Sequence, residues 1–366
     1  MSRGGTDRDR LVLSVAAEPL DPLARDLVAV HGLAAVAGAC RGESGSPEVP
    51  PAWVERVALD PVDRLLDAGA AVGARWLTPA SPSWPSALDD LAGVDDHGAA
   101  PWGVWVRGEG PLEVERAVSV VGARACTTYG AEVAGDLGAD LADRGWTVVS
   151  GAAFGIDACA HRGALAVAGR TVAVLACGAD IAYPLAHASL LDRIAEEGWI
   201  VAEHPPGSRP HRHRFLTRNR LIAALGAGTV VVEAAPRSGS LNTLRWADRL
   251  GRSSMAVPGS VLSRQSGGAH RAVREGEAVL VTSADDVAQE LDGLGWADTG
   301  ATEDLTEASR RLHGALPSDG GVTVGELVVL LDSPLRHVRA GLALLERRGH
   351  ARRADGGWIA LGRLPG

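Results

Sequence analysis

Six short runs of β-branched and apolar residues recur between about residues 100 and 290: Val118–Val121, Thr147–Val149, Thr171–Leu175, Trp199–Ala202, Thr229–Val232 and Ser254–Val257. Helical patterns separate them. Val133, Leu137 and Leu141 fall four apart on one face, and Leu216–Leu225 and Leu241–Leu250 behave alike. A strand that is apolar at every position must be covered on both faces, and strands alternating with helices pair in parallel. The expected architecture is therefore α/β, with a doubly wound, Rossmann-like parallel sheet.

At about 150 residues per domain, the length admits two or three domains. Within residues 1–80, the stretch from about 10 to 75 is Ala/Leu-rich with helical spacing at Leu23, Leu27 and Val30, and again at Leu65 and Leu66 after Pro61. A helical N-terminal region of SAM or helix-hairpin type is expected there, interrupted by the Gly/Ser/Pro stretch Arg41–Pro51. The Rossmann-like domain is expected over residues 81–292, and a polar linker over 293–304. Within residues 305–366, Val322–Leu331 and Ser333–Gly349 read as helices, followed by a strand, turn and strand ending at Leu361. Helix, turn, helix, hairpin is the winged-helix pattern.

In a doubly wound sheet, ligands bind where strands end and helices begin. The first run is followed by Gly122-Ala-Arg124 and then Thr127-Thr128-Tyr129-Gly130. The second is followed by Ser150-Gly-Ala-Ala-Phe-Gly155-Ile-Asp157, the third by Cys177-Gly178-Ala-Asp180 with Tyr183-Pro184 beyond, and the fifth by Pro236-Arg237-Ser238-Gly239-Ser240. Small residues at four strand ends allow close backbone approach, and the helix starts offer free N–H groups to anions. Tight helix-on-strand packing explains any one of these turns, but explains the set less well. A nicotinamide site is not indicated, because the first turn reads GARACTTYG rather than G-x-G-x-x-G and the second strand ends in Ser150 instead of a carboxylate. A P-loop is excluded, since the chain contains no Lys.

Formal charge is 36 − 45 = −9, which rules out a chain coated in positive charge but not a local basic site. All 36 cationic residues are Arg, whose planar fork suits phosphate, although a GC-rich genome would give the same count. The sharpest local feature is PPGSRPHRHRFLTRNR (Pro205–Arg220). Between Glu203 and Glu233 there is no acid, while Arg209, Arg212, Arg214, Arg218 and Arg220 cluster around Phe215. Cations with one aromatic ring are the composition of a single-stranded nucleic-acid groove, and a solvated basic loop is the bland alternative. Arg218, Asn219 and Arg220 are expected at a helix start, where a bound phosphate would offset their charge against the helix dipole.

Cys40, Cys126, Cys159 and Cys177 show no C-x-x-C pairing and read as small hydrophobes, not as a disulfide framework or a metal site. Asp157 reads as a helix cap and His161 as a packed core residue, because no nucleophile or second acid completes a catalytic set. Met1–Arg10 is too polar for a signal peptide, and stretches such as Leu27–Cys40 are too short to span a bilayer. A soluble cytoplasmic protein without membrane contact is expected.

The motifs together resemble those of the DprA/Smf family, the bacterial DNA-processing proteins of natural transformation. The likeness begins at Trp84-Pro-Ser-Ala-Leu88 and Trp105-Val-Arg-Gly108. It continues through VGARACTTYG (Val121–Gly130), SGAAFGIDACAHRGAL (Ser150–Leu165), LACGADIAYP (Leu175–Pro184), FLTRNRLIAAL (Phe215–Leu225), VVEAAPRSGSLNT (Val231–Thr243) and AVPG (Ala256–Gly259). The resemblance implies that Arg124 contacts single-stranded DNA, as does the family's Arg in its V-G-x-R turn. Ser150, Gly151 and Gly155 match the S-G-x-x-x-G-I-D loop. Phe215, Arg218, Asn219 and Arg220 match the F-P-x-R-N-R segment, with Leu216 in place of Pro, and Ser238, Gly239 and Ser240 match the S-G-[ST] turn. The implied function is binding and protection of incoming single-stranded DNA and help in loading the RecA recombinase. A homodimer is the expected assembly, and no cofactor, metal or catalytic residue is expected.

Two other classes compete. Related Rossmann-like enzymes cleave the N-glycosidic bond of nucleotides with P-G-G-x-G-T-x-x-E, but here the position three beyond Ser240 is Thr243, not Glu. A winged-helix regulator of duplex DNA would use Arg336, Arg339, Arg347 and Arg348, with Arg352 and Arg353 following. Those cations also suit a helix end without DNA.

Overall fold

The computed structural model describes residues 3–94, 98–292 and 307–331, and beyond them 333, 338, 341–342, 345–346, 349–354 and 357–362. Each of the six β runs forms a strand within one residue of its expected bounds. In chain order the strands are β1 (Ala74–Leu77), β2 (Val104–Arg107), β3 (Ala117–Val121), β4 (Thr147–Ser150), β5 (Thr171–Leu175), β6 (Trp199–Ala202), β7 (Gly228–Val231), β8 (Ser253–Ala256) and β9 (Val279–Leu280). They make one nine-stranded sheet in the order β1-β2-β6-β5-β4-β3-β7-β8-β9. β3 to β9 run parallel, whereas β1 and β2 add antiparallel strands beyond β6. β4, β5 and β6 are wound to one side of β3, and β7, β8 and β9 to the other. The direction of winding therefore reverses between β3 and β7, and that reversal opens a crevice at the strand ends.

The apolar strands follow from coverage on both faces. Successive residues point to opposite sides, so Val118 and Val120 enter one buried cluster with Leu137 and Leu141, while Ala117 and Val121 enter another with Leu221, Leu225 and Leu244. The helices supplying these layers include Thr128–Asp143, Ile156–Ala166, Arg212–Leu225 and Ser240–Arg249. Within β3, Ser119 is the polar exception. Its hydroxyl donates to the Ile222 carbonyl at 2.7 Å, joining strand to helix.

The N-terminal region is helical as expected, with five helices between Arg3 and Ala71. It is less separate than its composition suggests, because β1 lies inside residues 1–80 and pairs with β2. Leu11 and Leu65 share a buried cluster with Trp105, Leu175 and Ile194. Among the described residues no single helix is long and apolar enough to cross a membrane. In the tail, the helices Glu307–Gly314 and Val324–Leu331 and the hairpin β10 (Ala351–Ala354) with β11 (Gly357–Ala360) surround their own cluster, including Leu312, Leu327, Leu342 and Leu345. The linker 293–304, most of the helix expected over Ser333–Gly349, and Arg336, Arg339, Arg347 and Arg348 lie outside the described residues.

Candidate nucleic-acid interface

Below the strand ends lies a layer of buried charge. Asp157, on the first turn of the helix Ile156–Ala166, accepts the Ala153 N–H at 3.4 Å and is also hydrogen-bonded by the backbone N–H groups of Gly122 and Gly151. One internal carboxylate thus occupies donors that strand-end turns would otherwise offer to a phosphate. Burial raises its pKa, while Arg218 opposes that shift. Arg218 is itself buried and donates to the carbonyls of Gly151, at 2.9 Å, and Val174. Burial lowers its pKa to about 10. Gly151 is needed for this approach, because a Cβ there would collide with the guanidinium. Gly155 has φ +77°, and its missing Cβ leaves room for the Ala123 carbonyl.

These contacts correct several expectations. Arg218, Asn219 and Arg220 do not start a helix; they lie at the middle of Arg212–Leu225 and are buried. Arg220 is spent on a bidentate pair with Glu203, at 2.6 and 2.8 Å, and on the Ala99 carbonyl at 2.8 Å. Arg214 pairs with Glu18. Of the five arginines of the basic stretch, only Arg209 and Arg212 are exposed. Ser150 is fully buried and gives its hydroxyl proton to the Val120 carbonyl at 2.6 Å. Sequence distance hid all of these partners.

Other candidates remain at the surface. Arg124 is exposed and lies 4.9 Å over the Phe215 ring, with no acidic partner among the described residues. The Ser238-Gly239-Ser240 turn opens the helix Ser240–Arg249, its two hydroxyls 2.7 Å apart. Asn219 holds that turn by donating its amide to the Gly239 carbonyl at 3.2 Å. It is a positioning residue rather than a contact. Arg237 is exposed beside the turn.

Sequence reasoning missed the other aromatics. The chain has two Phe and two Tyr, and all four lie beyond the ends of the parallel strands. Tyr129, Phe154 and Tyr183 are 44%, 47% and 41% exposed, and Phe215 is half-buried. Tyr183 sits 5.5 Å from Phe215, and Phe154 meets His187 edge-on at 4.7 Å. Their scarcity was a usable signal, because a core that needed Phe and Tyr would have placed some elsewhere. The arrangement can hold anions on guanidinium groups and stack flat rings on aromatic faces.

His161 anchors the layer beneath. Thr171 gives its hydroxyl proton to the Val148 carbonyl, so the His161 Nδ1 2.7 Å away must be the donor, and Nε2 is left without a partner. Burial lowers the His161 pKa to about 3 and that of His204 to about 4. Both histidines are neutral in the fold, and the unfolded chain binds their protons below about pH 6.5. Stability is therefore full above that pH and falls as the pH drops toward the folded values, by about 1.4 kcal/mol per unit for each residue. A thermal melt series should show the midpoint declining steadily from pH 6.5 to 4. A flat midpoint between pH 7 and 5 would contradict neutral burial.

Comparison with known proteins decides the family. Residues 75–292 match the family model for DNA recombination-mediator protein A. The chain belongs to that family. Relatives include a DprA-named protein of Mycobacterium tuberculosis (strain ATCC 25618 / H37Rv), 46% identical over 302 residues, covering 79% of this chain and 77% of the relative. Protein Smf of Escherichia coli (strain K12) is 36% identical over 273 residues, covering 72% of each. The X-ray structure of DprA from Streptococcus pneumoniae superposes with a TM-score of 0.65 at 30% identity, covering 78% of this chain and 97% of that one. DprA from Helicobacter pylori, described for a unique single-stranded DNA binding mode, shares the fold with a TM-score of 0.51 at 24% identity, covering 60% and 95%. The resemblance drawn from the motifs is thereby shown, and the chain is a DNA-processing protein with a Rossmann-like core.

Proposed function

We propose that the chain binds single-stranded DNA along the ends of its parallel strands, protects incoming DNA in natural transformation and helps to load the RecA recombinase. The observation that carries the binding step is the aromatic placement: every Phe and Tyr of the chain lies partly exposed at that one edge, with Arg124, which has no acidic partner among the described residues, over Phe215. Stacking on aromatic faces beside arginines suits single strands without sequence preference. Contact residues in this reading are Arg124, Phe215, Ser238 and Ser240, with Gly239, Gly151 and Gly155 shaping the turns. Ser150, Arg218, Asn219 and Arg220 act from below by holding those turns and the helix behind them.

The proposed role is binding without turnover. Asp157 is committed to backbone N–H groups, and the position that carries Glu in the N-glycosidase motif is the buried Thr243. The tail elements fit a winged helix that assists the core. RecA partnership, a homodimer and a cytoplasmic location rest on the family alone.

Strand preference and salt response test the reading. Arg124, Arg209, Arg212 and Arg237 are exposed at this edge. Neutralising about four phosphates should give log K against log salt a slope of about −3, roughly −0.7 per phosphate. Single strands should bind more tightly than duplex of equal length. Duplex preference or a flat salt response would refute the assignment.

A further inference from the structure

Beside the Ala125–Thr127 turn lies a cavity of about 580 Å³ lined by Thr127, Tyr129, Glu233, Pro258, Ser263 and Ser266, among others. It sits where β3, β7 and β8 end, at the reversal of winding. The turn and the cavity's outer loop are tied together, since Gln265 donates its amide to the Ala125 carbonyl at 2.6 Å.

The lining is chemically selective. Glu233 is almost fully buried and accepts the Thr127 N–H at 2.8 Å on one oxygen and the Thr127 hydroxyl at 2.7 Å on the other. Each oxygen keeps a further lone pair. Thr127 caps the helix Thr128–Asp143, whose N-terminus would otherwise attract an anion, but the carboxylate already stands there. A phosphate is therefore repelled, and a neutral group bearing N–H donors is favoured. Hydroxyl donors line the same cavity. Ser260 and Ser263 use their oxygens to accept the Leu262 and Gln265 N–H groups, leaving their protons free. Ser266 is 2% exposed, and its Oγ has no hydrogen-bond partner, which a buried hydroxyl tolerates only at a cost. Tyr129 supplies a flat wall, fixed by its hydroxyl bond to the Pro258 carbonyl at 2.6 Å.

A planar face, an acceptor and several rotatable donors match the face and edge of a nucleobase. We propose that this cavity takes one nucleobase, stacked on Tyr129 and hydrogen-bonded through its edge to Glu233 and the serine hydroxyls. As a station on a bound strand, it rests on the single-stranded DNA reading above. The same chemistry would admit a free nucleoside, and the test separates the two sources.

The probes are an oligo(dT) strand carrying one 2-aminopurine, and free 2-aminopurine deoxyriboside. Each is titrated onto the full chain and onto Ser260→Leu and Ser263→Leu. Ser260 is exposed and Ser263 half-buried, so both positions accept a side chain that fills the cavity without disturbing the sheet. In the wild type, 2-aminopurine emission should be quenched when the strand binds. In both variants that quenching should disappear and strand affinity should fall about fivefold to tenfold, the low end of the range for losing one stacked base. Quenching and affinity that persist unchanged in both folded variants would overturn the proposal. If the wild type binds the strand without quenching and ignores the nucleoside, the cavity fails and the strand reading stands. If it binds the nucleoside but no strand, the strand reading fails and the cavity stands as a nucleoside site.

Discussion

Replacing Arg220 by alanine is expected to destabilise the protein by about 3–5 kcal/mol, the range for breaking a buried ion pair from one side. The guanidinium is fully buried, both its terminal nitrogens are on Glu203, and its Nε is on the Ala99 carbonyl. Alanine leaves the Glu203 carboxylate in the interior without its partner, and that is the dominant loss. With about 2–4 °C per kcal/mol for chains of some 150–250 residues, the thermal midpoint should fall by roughly 10 °C. Removing both charges, as Arg220→Met with Glu203→Leu, should recover most of the stability, because an apolar pair of similar volume avoids the desolvation penalty. A midpoint unchanged in Arg220→Ala, with weakened DNA binding, would restore the sequence expectation that Arg220 meets phosphate.

Arg124→Ala should do the opposite. The side chain is exposed and touches the Phe215 ring, a cation–π contact worth about 0.5–1 kcal/mol at such a site. It also repels Arg218 beneath it, so its loss removes an unfavourable interaction. The midpoint should move by only a degree or two. Affinity for single-stranded DNA should fall tenfold to a hundredfold, since a charge-assisted hydrogen bond contributes about 1.5–3 kcal/mol. Phe215→Ala, measured alongside, should cost about 1–3 kcal/mol of binding if a base stacks there. Normal affinity in a folded Arg124→Ala protein would remove this residue from the interface, together with the cation that lies over Phe215.

The two substitutions contrast because arginines of two strand-end motifs ended in different dielectric environments, one at the surface and one buried. Nothing local distinguishes them. The FLTRNR segment shows that cations gather near Phe215, but not that Arg214 meets Glu18, 196 positions away, or that Arg220 turns inward to Glu203. A net-charge argument over Pro205–Arg220 therefore overstates the free positive charge, and the exposed cations include Arg124 and Arg237 from other strand ends.

The β/α alternation was legible because it is a one-dimensional signal: each run is short and mostly apolar or β-branched, and four of the six are followed by small residues at a turn. β1 and β2 were not, since Ala74–Leu77 carries Arg75 and Trp76 and Val104–Arg107 ends in Arg107. Only pairing, of β2 with β6 and of β1 with β2, makes strands of them, and a pairing partner is a property of the fold. The strand-end motifs likewise located the site at the correct edge and indicated the family. What the sequence alone determined was the parallel sheet, its turns and the position of the edge where ligands meet it. The tertiary structure decided which polar groups at that edge remain available. Burial satisfies Ser150, Asp157, Arg218 and Arg220 with internal partners, because an unpaired buried charge or hydroxyl costs more than the contact it could make outside. The aromatic faces and a few guanidinium groups, which the core did not need, were left at the surface.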